Sequence, residues 1–385
     1  TGKDLVITSY APANIDQEEL ASFKWNTLCL DEAQNIKNAY TKQAEAIKKF
    51  SAGHRIALTG TPMENRLTEI WSIMDFLNPG YLGGQSTFNR KFANMIEKQN
   101  DAEAVFRVQK LVRPFLLRRI KTDPAVELDL PEKQEQKEYI SLTTEQAALY
   151  ETVLNRMFEQ LAHAEPMERR GIILVTLMKL KQVCNHPALL LKETNSKIES
   201  SRSGKVERLL EQVGEVREAG ERCLIFTQFV EMGRMLQDTL EKKLGERVQF
   251  LHGGVPKNQR DAMIARLQDE SLPREKACSV MILSLKAGGT GLNLTAANHV
   301  FHFDRWWNPA VENQATDRTY RIGQKKHVMV YKYISLGTVE ERIDEMIDKK
   351  QGLNELIVES GENWITELST EELKEVFTLR KEWVR

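Results

Sequence analysis

The feature that most constrains this chain is a rhythm: short apolar runs recur between longer stretches of helical periodicity. Such alternation is the pattern of open α/β layers, in which buried strands are covered by helices. The candidate strands are Leu5–Ser9, Thr27–Leu30, Ile56–Thr59, Cys223–Thr227, Val248–Leu251, Ser279–Leu283, His299–Phe303 and Val328–Tyr333. The helical patterns beside them are amphipathic, as in Val206–Val216 and Asn258–Leu267. Two further stretches, about residues 65–112 and about 144–183, are helical with no strand inside them, and we read both as helical insertions. Pro124–Lys133, with its prolines and acidic residues, and the polar, Ser-rich Glu193–Gly204 mark the boundary between the two halves. A length of 385 residues leaves room for two or three such domains.

Charge narrows the function classes. The 54 Lys and Arg balance 55 Asp and Glu, so a globally basic nucleic-acid coat is excluded and any such binding must come from local patches. Cys29, Cys184, Cys223 and Cys278 lie far apart with no C-x-x-C pair, which speaks against a disulfide framework or a cysteine zinc site and fits a reducing cytoplasm. No apolar run approaches the ~18–20 residues needed to cross a bilayer. The chain opens at Thr1, directly in strand-like sequence, and reads as a fragment.

Three segments carry chemistry. In Leu28–Gln34 (LCLDEAQ) an apolar strand ends in Asp31-Glu32, placing two carboxylates at the carboxyl edge of a sheet, where open α/β folds bind ligands. Asp31 can hold Mg²⁺, directly or through water, and Glu32 can orient an attacking water for phosphoryl transfer. The competing reading is a helix whose first turn is acidic because of the helix dipole. Leu58–Pro62 (LTGTP) suits a tight loop beside a phosphate or a nucleic-acid backbone, or an ordinary strand-ending turn. Gln314, Arg318 and Arg321 are spaced four and three apart, so they project from one face of a helix. Two guanidiniums there can grip phosphate oxygens, although a solvated charged face has the same pattern. The glycine-rich Lys286–Leu294 loop offers backbone amides after a strand.

Other residues read as structural. His252, His299 and His302 lack any ligand spacing, His186 before Pro187 ends a helix, and Met178, Met232 and Met263 fall in apolar helical stripes. The Trp306–Trp307 pair suits packing or backbone contact rather than base stacking.

Taken in order, these blocks resemble the Swi/Snf-type family of ATP-dependent DNA translocases within helicase superfamily two. The resemblance runs through Val6–Tyr10 (VITSY), Asp31–Asn38 (DEAQNIKN), Leu58–Pro62, Ile70–Gly80 (IWSIMDFLNPG), Arg113–Arg119 (RPFLLRR) and Leu180–Pro187 (LKQVCNHP). It continues through Leu224–Phe229 (LIFTQF), Ser284–Leu294, His302–Glu312 (HFDRWWNPAVE) and Gln314–Gln324 (QATDRTYRIGQ). The end, Trp364–Leu373, is most similar to the compact bacterial and archaeal branch.

That resemblance implies two RecA-like lobes with parallel sheets, each carrying a helical insertion. Residues 1–125 would be the later part of lobe one, with its insertion at about 65–112. Residues 126–203 would be a linker and the insertion of lobe two, 204–350 lobe two itself, and 351–385 a helical extension. The resemblance implies catalytic roles for Asp31, Glu32, Arg318 and Arg321, with Mg²⁺ on Asp31. Gln34, Gly289, Gly291 and Gln314 would attend ATP. Thr8, Ser9, Thr59, Thr61, Arg113, Gln228, Thr290 and Trp306 would contact double-stranded DNA. Arg113, Arg118, Arg119, Lys121, Lys179 and Lys181 form basic clusters that either face DNA or build a salt-bridge network at the lobe boundary. The implied activity is ATP-driven movement on duplex DNA that remodels or displaces bound protein, in the cytoplasm and at the nucleoid of a prokaryote. A strand-separating helicase and a non-hydrolysing DNA-binding module are the alternatives.

One family element is missing. Gly2-Lys3 is followed by Asp4 and Gly204-Lys205 by Val206, and neither carries the glycine that a G-x-x-x-x-G-K-[ST] loop requires. The phosphate loop is expected before Thr1, leaving lobe one incomplete. We therefore expect the 385-residue chain alone to lack DNA-stimulated ATPase activity, because the loop's amide cradle, lysine and metal-ligating hydroxyl have no substitute in it. Phosphate-release assays on this chain, run beside the full-length protein, check this; robust turnover by the shorter chain would show the nucleotide site to be misplaced.

Overall fold

The structure is a computed structural model and describes residues 3–60, 66–99, 101–117, 130–193, 199–272, 278–284, 291–306, 308–351, 365 and 368–385. The chain forms two compact units, Thr1–Ile120 with Lys350–Gly361, and Lys121–Lys349 with Glu362–Arg385.

In the first unit, β1 (Lys24–Leu30) and β2 (Ser51–Ala57) run parallel, with Leu30 opposite Ala57. The crossover between them passes through helix Lys42–Lys48, which starts where the Thr41 hydroxyl accepts the Ala44 N–H. Leu30, Ala33, Ile36, Ile47, Phe50 and Phe76 form the core around this β-α-β unit. Helix Leu67–Leu77 belongs to two cores at once. Phe76, near its end, packs in that cluster, while Leu67 and Trp71 join Phe88, Ile96 and Val108 in a separate helical cluster. Leu5–Ser9, which reads as a strand, forms none in the structure; Leu5, Val6 and Ile7 are 76%, 50% and 85% exposed. Its apolar alternation meets the local requirement of a strand but finds no partner strand among the described residues.

The second unit is built on six parallel strands: β3 (Lys133–Ile140), β4 (Cys223–Thr227), β5 (Gln249–Leu251), β6 (Val280–Ser284), β7 (His299–His302) and β8 (Val328–Ser335). Their order is β3-β8-β7-β4-β6-β5. Every residue of β4 is buried, and its side chains divide between two faces. Cys223 and Ile225 pack with Val206, Leu209 and Leu236 from helices Gly204–Glu218 and Val230–Leu244. Leu224 and Phe226 pack on the opposite face with Leu267, Ala315 and Tyr320. Burial on both faces is why β4 (CLIFT) and β6 (VMILS) are nearly continuous apolar runs.

A third core joins helices Thr144–Leu161 and Pro166–Asn185 to helices Val339–Gln351 and Thr370–Phe377. The Tyr150 hydroxyl stitches it by donating to Phe377 O and accepting Val339 N–H. Met232 lies in the core on one face of the sheet and Met263 packs against the core on the other, as expected, but Met178 is 37% exposed.

The Gly204-Lys205 pair turns out to be architectural. A Cβ on Gly204 would sit 2.6 Å from the Ser141 carbonyl oxygen, so the start of helix Gly204–Glu218 can press against the end of β3 only without a side chain. Lys205 is buried and holds Glu340 at 2.7 Å. Gly204→Ala is expected to destabilise the chain by about 1–3 kcal/mol, because backbone must move to admit the methyl. Urea melts of wild type and variant measure this, and equal midpoints would show that the contact is relieved without cost.

Candidate functional site

At the end of β1 the chain leaves the core: Leu30 is buried, Asp31 exposed and Glu32 half-buried. Glu32 adopts the left-handed conformation at φ 51°, ψ 52°, which costs a residue with a side chain about 1–3 kcal/mol and persists only when neighbours enforce it. The enforcing contacts are visible. Asp31 Oδ1 accepts the Glu32 N–H at 3.0 Å. Past the strands, Leu58 N–H donates to Leu30 O and Ala33 N–H to Leu58 O, both at 2.8 Å. The Tyr10 hydroxyl donates to Asp31 O at 2.8 Å. Burial, with Asp31 and Glu32 nearby, pushes Tyr10 up to about 12, so it stays a protonated donor.

The side chains then form a relay. Thr59 Oγ1 donates to Gln34 Oε1, and Gln34 Nε2 donates to Glu32 Oε2, each at 2.6 Å. The LCLDEAQ segment and Leu58–Thr59, the start of LTGTP, are thereby one hydrogen-bonded unit. Asp31 is the exposed carboxylate of the pair, and a single such group suits Mg²⁺, which keeps water and phosphate oxygens as its other ligands. Among the described residues no group of three or more His, Cys, Asp or Glu could hold a metal.

In the second unit the helix after β4 lies on one face of the sheet and helix Pro309–Thr316, after β7, packs on the other. β4 and β7 are neighbours, so their carboxyl ends form a topological switch point, the place where open α/β sheets take ligands. Gln228 follows β4, and Asp304, Arg305 and Trp306 follow β7. Lys181 Nζ lies 3.4 Å from Gln228 Oε1 and 5.8 Å from the centre of the Trp306 ring. Lys181 is 1% exposed, so it belongs to a buried network and has no surface to offer DNA. Asp304, fully buried, accepts from Thr227 Oγ1 at 2.6 Å, Asn185 Nδ2 at 3.0 Å and Gln228 N–H at 3.0 Å. Burial raises its carboxyl above the usual range, opposed by the Thr227 hydrogen bond and the charges of Lys181 and Lys205.

The arginines differ from expectation. Helix Pro309–Thr316 ends before Arg318, so Gln314 is helical while Arg318 and Arg321 sit in the turns that follow. The Arg318 carbonyl accepts the Leu294 N–H at 2.9 Å, which removes it from the helical ladder. Arg318 is 7% exposed, and Arg321 Nη1 donates to Leu292 O at 3.0 Å. Both therefore brace the loop after β6, where Gly291 has a positive φ of 46°.

The remaining sequence candidates are dispersed. Thr8 and Ser9 are exposed ahead of helix Tyr10–Ile15, Arg113 is exposed in a single turn at the end of helix Ala102–Val112, and Lys179 is half-buried. Thr61, Arg118, Arg119, Lys121, Gly289, Thr290 and Trp307 lie outside the described residues. His186 caps helix Pro187–Leu191, accepting the Ala188 N–H. His302 is buried against Thr316 Oγ1, and burial lowers it to about 4, which keeps it neutral.

Sequence reasoning overlooked Gln324. Its Nε2 reaches the carbonyls of Thr295, Ala297 and Thr319 within 3.2 Å, and its Oε1 accepts the N–H groups of Lys325 and Lys326. Its position closing the QATDRTYRIGQ block is the signal that was available. Gln324→Ala strands these buried carbonyls, for an expected loss of about 1–3 kcal/mol. Denaturant unfolding checks this against Ile322→Ser, a change at a 76% exposed neighbour; equal effects would remove Gln324 from the bracing role.

Residues 1–189 match the SNF2-related domain and residues 204–323 the helicase conserved C-terminal domain. The chain is 56% identical over 376 residues to the Bacillus subtilis "Putative ATP-dependent helicase/translocase YwqA", spanning 98% of this chain and 40% of that protein. It is 34% identical over 364 residues to the human "SWI/SNF-related matrix-associated actin-dependent regulator of chromatin subfamily A member 1", spanning 93% of this chain and 34% of that protein. The chain thus spans well under half the length of these relatives. Among solved structures, the Sulfolobus solfataricus SWI2/SNF2 ATPase core in complex with dsDNA matches at 45% identity and a TM-score of 0.57, covering 98% of this chain and 78% of that one. With the parallel α/β sheets and the strand-end motifs in place, the chain belongs to the SWI2/SNF2 family.

Proposed function

We propose that the full-length protein is a DNA-dependent ATPase that moves along double-stranded DNA and remodels or displaces proteins bound to it. The observation that carries this reading is the Thr59–Gln34–Glu32 relay at the end of β1 and β2. Glu32 is a carboxylate held in one geometry but only half-buried, as a group that orients water must be. Gln34 ties it to Thr59, so a shift of the LTGTP loop moves the carboxylate. That linkage is what a motor needs, because hydrolysis must depend on what the loop touches. Asp31 is the ligand we assign to Mg²⁺, which with ATP supplies charge neutralisation at the phosphates. Arg318, Arg321 and Gln314 are assigned to ATP on the family resemblance alone. Gln228 and Trp306 are assigned to the DNA backbone. The dsDNA in the Sulfolobus complex supports duplex DNA as the track.

Grip on a track of any sequence calls for phosphate contacts, so affinity should fall steeply with salt and alike for unrelated duplexes. The decisive experiment is Glu32→Gln in the full-length protein. The amide keeps the shape but polarises water poorly, so ATP binding should persist while DNA-stimulated turnover falls by about 10²–10⁴-fold. Near-wild-type turnover would remove Glu32 from the chemistry. Strand displacement on a forked duplex by the wild type would replace translocation with strand separation.

A further inference from the structure

We propose that Asp304 is a positioning residue for DNA engagement: it sets Gln228 by anchoring the carboxyl ends of β4 and β7 to the insertion helix Pro166–Asn185. The inference rests on the DNA-dependent ATPase reading above. Three elements converge on one carboxylate. Thr227 and Gln228 donate to it from β4, and Asn185 from the last residue of the insertion helix, while Asp304 itself leaves β7 two residues before Trp306. A carboxylate has two oxygens in a fixed plane, so three donors from two other segments fix its rotation and fix those segments relative to one another.

The consequence falls on Gln228. Its backbone N–H is held by Asp304, and its side-chain Oε1 faces Lys181, which also stands over Trp306. The Gln228 side chain is half-buried, and its Nε2 makes no hydrogen bond among the described residues. Trp306 is held separately, its N–H donating to Glu312 Oε1 at 2.8 Å, while Arg305 beside it pairs with Glu312 and with Asp344. Asn185 extends the anchorage: its Oδ1 accepts from Lys205 and its carbonyl from Ser203 Oγ. Asp304 therefore touches no ligand itself. It makes the strand ends and the insertion move as one body, so that a DNA backbone meeting Gln228 and Trp306 also meets the insertion.

The test is a double-mutant cycle in the full-length protein, reading the DNA concentration that gives half-maximal ATPase stimulation with a blunt duplex of arbitrary sequence. Asp304→Asn should raise that concentration about tenfold, as misplacement of a contact group does. In a Gln228→Ala background the same change should raise it by less than about twofold, because the group it positions is gone. A merely structural lesion lowers the active fraction, and so kcat, while leaving half-saturation where it was. That pattern, or additive effects in the cycle, would overturn the proposal. Thermal melts confirm folding, and if Asp304→Asn does not fold, Thr227→Val, which removes one of the three donors, carries the same cycle with the same criteria. A wild-type protein whose ATPase does not respond to DNA would defeat the functional reading and this inference with it, whereas additivity in a protein that does respond defeats the inference alone.

Discussion

Ionised groups taken out of water must find partners, and in the second unit this requirement fixes how the layers meet. Lys181, Lys205, Asp304, Arg305, Glu312, Glu340 and Asp344 are all less than 4% exposed. Lys205 joins helix Gly204–Glu218 to Glu340 on helix Val339–Gln351, and Arg305 joins the end of β7 to Glu312 and Asp344. Breaking one partner from such a pair costs about 3–5 kcal/mol, although the intact pair adds little over an apolar replacement. Its contribution is therefore uniqueness of arrangement. Apolar cores tolerate sliding, but a buried lysine facing one glutamate does not. Hydrophobic burial holds the sheet and its helices together, and the ionic contacts determine where the helical layer sits over the strand ends.

The first unit solves the opposite problem. The proposed work of Glu32 on water needs a carboxylate that is not fully buried, and Glu32 is half-buried. Its left-handed backbone, the Asp31 carboxylate on its N–H and the Gln34 amide on its side chain together leave one orientation while keeping it accessible. Asp31 is in turn fixed through its carbonyl by Tyr10, whose raised pKa guarantees a donor at any physiological pH.

What was legible in the sequence follows from the same physics. β4, β6 and β7 were readable because burial on both faces favours apolar runs, β8 from its Val, Met and Tyr content, and β4 was located to the residue, Cys223–Thr227. β3, Lys133–Ile140, went unread. It is an edge strand pairing only with β8, and its side chains are polar: Glu135 lies between Lys133 and Lys332, which hold its carboxyl at about 2 against the opposing effect of burial. Edge strands are commonly charged, which blocks further pairing and erases the apolar signature. Leu5–Ser9 erred the other way, since strand-like composition cannot create a neighbour. Asp31, Glu32 and Gln34 were legible as a motif, and their bond to Thr59 was not, because a contact across 25 residues depends on the parallel register of β1 and β2. The shared helical face of Gln314, Arg318 and Arg321 failed for a nonlocal reason too: the Leu294 N–H takes the carbonyl that the helix would have used.

One chemical device recurs at the points where strand ends meet loops. Gln34 bridges Glu32 and Thr59, Gln324 holds Thr295, Ala297 and Thr319, and the Gln228 amide faces Lys181 while its backbone N–H, not its side chain, holds Asp304. A primary amide offers donors and acceptors in one plane and carries no charge. It can join an ionised group to a hydroxyl, or gather several carbonyls, without adding a second buried ion to be compensated. It can also exchange one partner for another at small cost, since each neutral hydrogen bond contributes only about 0.5–1.5 kcal/mol net. Salt bridges of the kind that Lys205 makes with Glu340 resist such exchange, because separating them leaves charge without a partner. The division of labour is consistent: buried ions where the structure must keep one arrangement, and neutral glutamines where neighbouring segments are joined without a further buried charge.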